Sequence, residues 1–229
     1  MPFSGGLARN IQQCLKDFDI PLLLSHTVVE IHGKDRVTGV TIAEVDANRK
    51  PIESTRRYIP CDTLLLSVGL IPENELTKSA GVALDRVTNG AVVDQDRGTL
   101  IDGIFACGNV LQVHDLVDYV SEEAERAGIG AANFIRAGEK SAVAISTKPG
   151  YGVRYVLPQT VSTTDKDVSL FLRVTQPFGK VKFTVRSGDK VLAVAKKLKA
   201  APGEMEKITV KAALLQDVKE PITVSLEEL

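Results

Sequence analysis

The chain has 229 residues, of which 44% are hydrophobic and 25% charged, and its formal net charge at pH 7 is −1. This length allows one large domain or two small ones with a substantial core, and the near-neutral charge gives no general attraction to nucleic acid or to an anionic membrane. No apolar run is long enough to span a bilayer, and the N-terminus lacks the pattern of a secretory signal. The expected location is therefore the cytoplasm.

The first part of the chain is predicted to combine a helix, a buried strand and an antiparallel meander. A loop at Met1–Gly6 precedes a helix from about Leu7 to Phe18 with one apolar face, and Pro21–Ser25 follows as a short buried strand. A helix that leads into a buried strand implies a parallel sheet. Alternating apolar residues then predict three antiparallel strands, at Val28–Ile31, Val37–Val45 and Arg57–Pro60.

Two further apolar stretches predict buried strands that end in glycine turns. Cys61–Gly69 is predicted as a strand of the parallel type, and the glycine and proline after it predict a turn over Leu70–Leu76. Gly103–Val110 is predicted as a short buried strand whose second glycine lets a ligand approach the backbone. A helix that ends near Ile135 follows it. A strand, a glycine turn and a helix together can hold a ligand at a helix N-terminus.

This helix has a predicted apolar stripe and two candidate N-caps. Asp115 and Ser121 both fit the N-cap position, and the sequence leaves that choice open. The residues expected on the buried side are Val117, Val120, Ala124, Ala127, Ala131 and Phe134. The residues expected on the polar side are Glu122, Glu123, Glu125 and Arg126.

The segment from Gly103 to Asn109 resembles the "G-[IV]-[FY]-A-x-G-D" flavin-binding motif of the pyridine nucleotide-disulfide oxidoreductase family. Upstream, Asp62–Asn74 is similar to the family's "D-x-[LIV]-[LIV]-x-[AS]-x-G-x-x-P-N" segment, with Glu73 as an insertion. The two motifs occur in the family's order. Asn109 is a departure, because the family usually has Asp there, yet an amide can still donate to or accept from a ribityl hydroxyl.

The resemblance implies a set of cofactor-binding residues. Gly108, Asn109 and Val110 are expected at the ribityl and phosphate part of FAD, and Tyr119 and Val120 near the flavin ring. The upstream motif adds Gly69 and Pro72 as cofactor-binding residues. FAD and NAD(P) are the implied cofactors of the full-length protein, although this chain alone is expected to lack most of the surface that binds either nucleotide.

The chain contains no G-x-G-x-x-G fingerprint and no closely spaced cysteine pair. In the family one fingerprint opens each dinucleotide-binding domain, so the resemblance implies a C-terminal fragment that needs its N-terminal half, another partner chain or a second copy. Cys14, Cys61 and Cys107 are predicted to be buried, unreactive thiols, which gives neither a redox disulfide nor a zinc site. The three histidines are scattered, so no metal site is predicted.

The predicted fold is α/β, with an incomplete Rossmann-like FAD/NAD(P)-binding region and a β-meander, followed by a small all-β sandwich of immunoglobulin-like or fibronectin-like character. Residues 1–148 form the first domain, divided into the end of a nucleotide domain (1–69) and the C-terminal part of an FAD domain (70–148). Residues 149–229 form the sandwich, after a polar link over Arg136–Lys148. Its predicted strands are Val153–Leu157, Val168–Val174, Val181–Arg186, Val191–Ala195, Ile208–Val210 and Ile222–Leu226.

The implied activity is hydride transfer between NAD(P)H and FAD, and from the flavin to a substrate or electron carrier, with the chain inactive on its own. The alternative is a non-catalytic binding or assembly subunit that pairs with another chain. No catalytic residue is assigned. His114, which precedes the helix that would face the flavin, is a candidate acid or base, and the competing interpretation is an ordinary loop histidine.

Overall fold

A computed structural model describes residues 8–137, 144–162 and 166–229. The chain divides into two compact units, residues 1–69 and residues 70–229. The domain boundary predicted at residue 148 lies inside the second unit and stays a prediction.

Two of the sequence-based predictions fall on parts of the chain outside these ranges. The loop at Met1–Gly6 lies outside the described residues, as do residues 138–143 of the predicted polar link.

The first unit contains the predicted antiparallel meander. Helix α1 (Ala8–Cys14) and a 3-10 turn precede strands β1 (His26–His32), β2 (Gly39–Glu44) and β3 (Arg57–Pro60), which pair in the order β1-β2-β3. β2 is the central strand, and almost all of its residues are buried. Period-2 alternation therefore located all three strands correctly.

The two buried parallel strands predicted in this unit do not form. Pro21–Ser25 and Cys61–Gly69 are not strands, and Leu65 and Val68 are each 88% exposed. A strand persists only when neighbours satisfy its N–H and C=O groups, and the three-stranded sheet of the described residues offers none to these segments. Their apolar side chains therefore remain at the surface.

Two smaller predictions about this unit's helix and about the thiols are also wrong. Phe18, an apolar residue at the end of the predicted helix, is 71% exposed. Cys14 is exposed, and Cys61 and Cys107 are only half-buried. The helix predicted to reach Phe18 ends at Cys14, and an apolar face is buried only where another element packs against it.

The second unit begins with short helices and loops. Helix α2 (Glu75–Ser79), a 3-10 turn at Gly108–Val110 and helix α3 (Val117–Ala137) are its regular elements before the sheets. The strand predicted at Gly103–Val110 is reduced to a single bridge, in which Phe105 pairs with Gly98, followed by the 3-10 turn.

The rest of the second unit is almost entirely strands. They are β4 (Ala144–Pro149), β5 (Val153–Leu157), β6 (Thr160–Ser162), β7 (Val168–Val174), β8 (Val181–Ser187), β9 (Lys190–Lys197), β10 (Glu206–Val210) and β11 (Ile222–Glu228), with a short helix α4 (Ala212–Leu215) between the last two. All six predicted strands are confirmed. β4 and β6 were not predicted, and β4 occupies part of the predicted polar link.

These strands form two sheets that share a core. One sheet has the order β10-β7-β5 and the other the order β6-β4-β11-β8-β9. Leu172, Phe183 and Val224 are among the buried residues that pack together from both sheets. Full burial of each such side chain contributes about 1.5–3 kcal/mol.

A second apolar cluster connects the sheets to the segment that precedes α3. Tyr155 and Leu157 of β5 pack with Val93 and Leu111, and Leu111 is fully buried. Because Leu111 directly follows the 3-10 turn, this packing fastens one end of the turn to the sheet.

Candidate functional site

The 3-10 turn at Gly108–Val110 is the centre of the candidate site. Gly108 is buried and has φ +74°, a left-handed conformation that favours glycine. A Cβ built on Gly108 would lie 3.7 Å from Cγ1 of Val120, so this turn and the beginning of α3 lie side by side. Asn109 and Val110 are exposed and accessible to a ligand.

Glu123 is buried beside this turn, contrary to the prediction. The buried residues of α3 are Glu123, Ala127 and Gly130, whereas Val117 and Ala124, predicted on the buried stripe, are exposed. A carboxylate is found in such a position only when charged or hydrogen-bonding groups compensate for its burial.

Four donors from two stretches of the chain compensate for the burial of the Glu123 carboxylate. Its Oε2 accepts hydrogen bonds from the Gly108 N–H at 2.8 Å and from Nε2 of His114 at 3.0 Å. Its Oε1 accepts from Nε of Arg97 and from Nε2 of Gln112, each at 3.2 Å. The side chains of Glu123, Arg97 and His114 are each at most 1% exposed.

The electrostatics of this cluster favour an ionised carboxylate. Burial raises the pKa of Glu123, but the hydrogen bonds from His114 and Gly108 and the Arg97 charge oppose it, and the net pKa lies below the usual 4.5. Burial lowers the pKa of Arg97, and the Glu123 charge opposes that shift. Burial and the nearby Glu123 charge both raise the pKa of the Cys107 thiol.

Three buried polar atoms of the cluster make no hydrogen bond to any residue in the described part of the chain. They are Nη2 of Arg97, Oε1 of Gln112 and Nδ1 of His114. Buried polar atoms are usually satisfied, by water or a ligand when the protein supplies no partner. Each of these three atoms can therefore still form a hydrogen bond with a water molecule or a ligand.

Asn74 holds the same turn from its other side. Asn74 is 4% exposed, and its Nδ2 donates to the carbonyls of Val110 at 2.7 Å and Asn89 at 2.9 Å. Its Oδ1 accepts from the Thr77 hydroxyl at 2.8 Å. Asn74 is the last residue of the upstream motif, so the end of that motif contacts the turn.

The predicted site residues lie in several environments. Oδ1 of Asn109 accepts the His114 backbone N–H at 3.1 Å. The Tyr119 ring packs edge-to-face on Phe171 of β7, with 5.8 Å between centroids, so Tyr119 is engaged with the sheet. Gly69 has φ +97° and open space around it, and Pro72 is half-buried two residues before Asn74. Their roles in cofactor binding stay predictions.

The structure brings together Gly108, Asn109, His114 and Val120 from the predicted set. It adds three residues that the sequence did not assign to the site, which are Arg97, Gln112 and Glu123. Asn74 was noted only as part of a motif, and its position at the end of that motif is the signal that could have indicated a role. Arg97 and Glu123 are 26 residues apart, and no local pattern connects them.

The residues of the turn fit a hydroxylated chain that carries a phosphate. The Asn109 amide can both donate to and accept from hydroxyl groups, and it brings no charge to repel a phosphate. Asn109 is exposed, so its amide is accessible to such a chain.

A sequence model of the pyridine nucleotide-disulphide oxidoreductase family matches residues 2–126, which is more than half of the chain. The chain belongs to this family. The matched range includes both motifs, the 3-10 turn and Glu123. The expected membership is thereby confirmed, and with it a relationship to flavin-dependent redox proteins.

The chain is also similar to the probable ferredoxin reductase CtmF of Castellaniella defragrans. The two are 36% identical over 85 residues, which is 35% of this chain and 20% of that protein. The match therefore spans about one fifth of the relative's length.

The described residues contain neither a candidate membrane-spanning helix nor a candidate metal-binding group. In residues 8–137, 144–162 and 166–229, no helix has the length and apolar character needed to cross a membrane. The same residues contain no group of three or more His, Cys, Asp or Glu side chains arranged to bind a metal ion.

Proposed function

We propose that the Gly108–Val110 turn and the beginning of α3 form part of a flavin site, where the turn binds the ribityl and phosphate part of FAD. The observation that carries this proposal is the hydrogen bond from Asn74 to the Val110 carbonyl, which joins the two family motifs at one exposed turn. Asn109 would bind the ribityl hydroxyls, and Val120 would lie near the flavin ring.

The whole protein would be an oxidoreductase that transfers hydride between NAD(P)H and FAD. FAD supplies this chemistry when it is bound. The contribution of the described residues is to bind and orient. The N-terminal end of α3 would stabilise negative charge that develops near it. Because one relative is named a ferredoxin reductase, we propose an electron carrier of the ferredoxin type as the acceptor.

His114 has a different place in this proposal from a reacting acid or base. Its side chain is 1% exposed and its Nε2 contacts Glu123, so its most direct role is to donate a hydrogen bond to the buried carboxylate. A proton transfer by His114 beside the flavin remains a prediction.

We extend the proposal to domain organisation. Residues 1–69 would end a nucleotide domain, and residues 70–148 would form the C-terminal part of an FAD domain. The later strands would form an immunoglobulin-like or fibronectin-like sandwich, supported by two sheets that share one core. The compartment we propose is the cytoplasm, from composition.

A non-catalytic binding or assembly subunit is the second candidate. One observation favours this candidate. Leu65, Val68 and Ile71 are 87–88% exposed, and they lie in an apolar run that lacks strand partners among the described residues. Such a run can pair with another chain, with an N-terminal half of the same enzyme or with a second copy. If the protein is instead a flavin-dependent oxidoreductase, the same run would add a strand to a sheet of that enzyme.

A visible absorption spectrum of the purified chain, before and after excess FAD is added and the free cofactor removed, tests the proposal. Although part of the FAD-binding surface is expected to come from an N-terminal half, the Gly108–Val110 turn should still bind the cofactor, so an oxidised-flavin band is the expected result after FAD addition. A protein that stays colourless at every FAD concentration would favour the assembly subunit instead.

A further inference from the structure

The buried carboxylate of Glu123 is a feature that hydride transfer between NAD(P)H and FAD does not require. Its side chain is fully buried and accepts hydrogen bonds from Gly108, Gln112, His114 and Arg97. Burial of a carboxylate and a guanidinium carries a large desolvation cost, and a pair of apolar side chains would often stabilise a fold at least as well. Stability alone therefore does not explain the charge at this position.

Two contacts connect Glu123 to the turn. Through Oε2 it fixes the Gly108 N–H directly, at the residue whose left-handed φ sets the direction of the turn. Through the same oxygen it holds the His114 ring, and the His114 backbone N–H donates to Oδ1 of Asn109. One carboxylate thus restrains both the main chain of Gly108 and the side chain of Asn109.

We infer that Glu123 is a positioning residue that fixes the Gly108 amide and holds the Gly108–Val110 turn in its ligand-binding shape. Arg97 and Gln112 hold the carboxylate in place by donating to its other oxygen. This inference rests on the proposed function for the identity of the ligand, FAD. The restraint on the Gly108 amide can be tested without any ligand.

Amide hydrogen exchange of the ¹⁵N-labelled chain, measured by NMR, tests this inference. In Glu123→Ala the Gly108 amide should exchange about ten- to hundredfold faster than in the wild type, because it loses a bond to a charged acceptor. The Val93 amide, which donates to Oε1 of Gln159, serves as an internal reference and should change little. Glu125→Ala, an exposed acid of the same helix, is the matched control and should leave Gly108 unchanged.

A second variant covers the case in which the unpaired Arg97 prevents folding. Arg97→Leu/Glu123→Leu removes both buried charges together, which is better tolerated than removal of one. Faster Gly108 exchange at an unchanged Val93 amide in either variant supports the inference. Unchanged Gly108 exchange, or equal acceleration of both amides, would overturn it.

Titration of FAD into the same samples separates this inference from the proposed function. The wild type should show saturable shift changes at the Asn109 and Val110 amides, and these should need about tenfold or more FAD in either Glu123 variant. If FAD binds both variants as well as the wild type, the positioning role is overturned. If FAD perturbs no amide of the wild type, the proposed function fails, while the exchange result still decides whether Glu123 restrains the turn.

Discussion

The side-chain amide of Asn74 donates a hydrogen bond of 2.7 Å to the carbonyl of Val110, 36 residues further along the chain. This contact joins the end of the upstream motif to the exposed turn of the flavin-type motif. Glu123 binds the other end of the same turn, where its Oε2 accepts a hydrogen bond from the Gly108 N–H. The turn is therefore restrained at both of its ends by buried side chains.

Replacement of Asn74 should destabilise the protein measurably. In Asn74→Ala the carbonyls of Val110 and Asn89 lose their donor, and we expect a loss of about 2 kcal/mol in the free energy of unfolding. Asn74→Asp can still accept from Thr77 but cannot donate, so it should be at least as destabilised. Denaturant melts measure both, with the exposed Asn133→Ala as control. Wild-type stability in Asn74→Asp would show that the donated bonds contribute nothing.

Stability should fall in acid in a way that depends on Glu123. The pKa of Glu123 is lowered in the folded protein, so its ionisation stabilises the fold above the unfolded value near 4.5. That contribution is lost as the pH falls through the lower folded pKa. Between about pH 6 and pH 3 the melting temperature of the wild type should therefore fall more steeply than that of Arg97→Leu/Glu123→Leu. Parallel pH profiles for the two proteins would contradict the charge assignment.

The thiols should differ in reactivity. Burial and the Glu123 charge raise the pKa of Cys107, which leaves less of the reactive thiolate at a given pH, whereas Cys14 is exposed. Iodoacetamide at mildly alkaline pH should therefore modify Cys14 well before Cys107, as followed by peptide mass spectrometry. Faster labelling of Cys107 would mean that its surroundings are more open or more positive than described.

The β-rich part of the second unit should be more stable when it begins at Ala144 than at Gly150. β4 lies between β6 and β11 in the five-stranded sheet, and its loss would leave β6 without a neighbour. Thermal melts of residues 144–229 and 150–229 provide the comparison. A higher melting temperature is expected for the longer segment, and equal values would show that β4 is dispensable.

Much of the fold could be predicted from local patterns. Alternation located β1, β2 and β3, turn residues separated the six predicted strands of the second unit, and helical periodicity located α3. β4 could not be predicted, because its sequence has no clear alternation and its strand conformation depends on pairing with β6 and with β11, the second of which is more than 70 residues away. Cys61–Gly69 shows the reverse error, because apolar composition without hydrogen-bonded neighbours does not make a strand.

The candidate site was only partly predictable for a related reason. Gly108 and Asn109 stand in a recognisable motif, so the sequence alone indicated them. The buried position of Glu123 depends on Arg97 and His114, which lie 26 and nine residues away and whose distances from Glu123 are set by tertiary packing. Helical periodicity predicted Glu123 on the polar face of α3. In the structure Glu123 is buried, because four hydrogen-bond donors compensate for the burial of its carboxylate.

The measurement that tests the central claim most directly is a titration of FAD with the purified chain, followed by flavin fluorescence anisotropy. We expect a saturable rise in anisotropy for the wild type and for Asn133→Ala, and about three- to tenfold weaker binding for Asn109→Ala, which loses one hydrogen bond to the ligand. No rise in anisotropy for the wild type, or equal binding by Asn109→Ala, would contradict the assignment of the Gly108–Val110 turn to a flavin site.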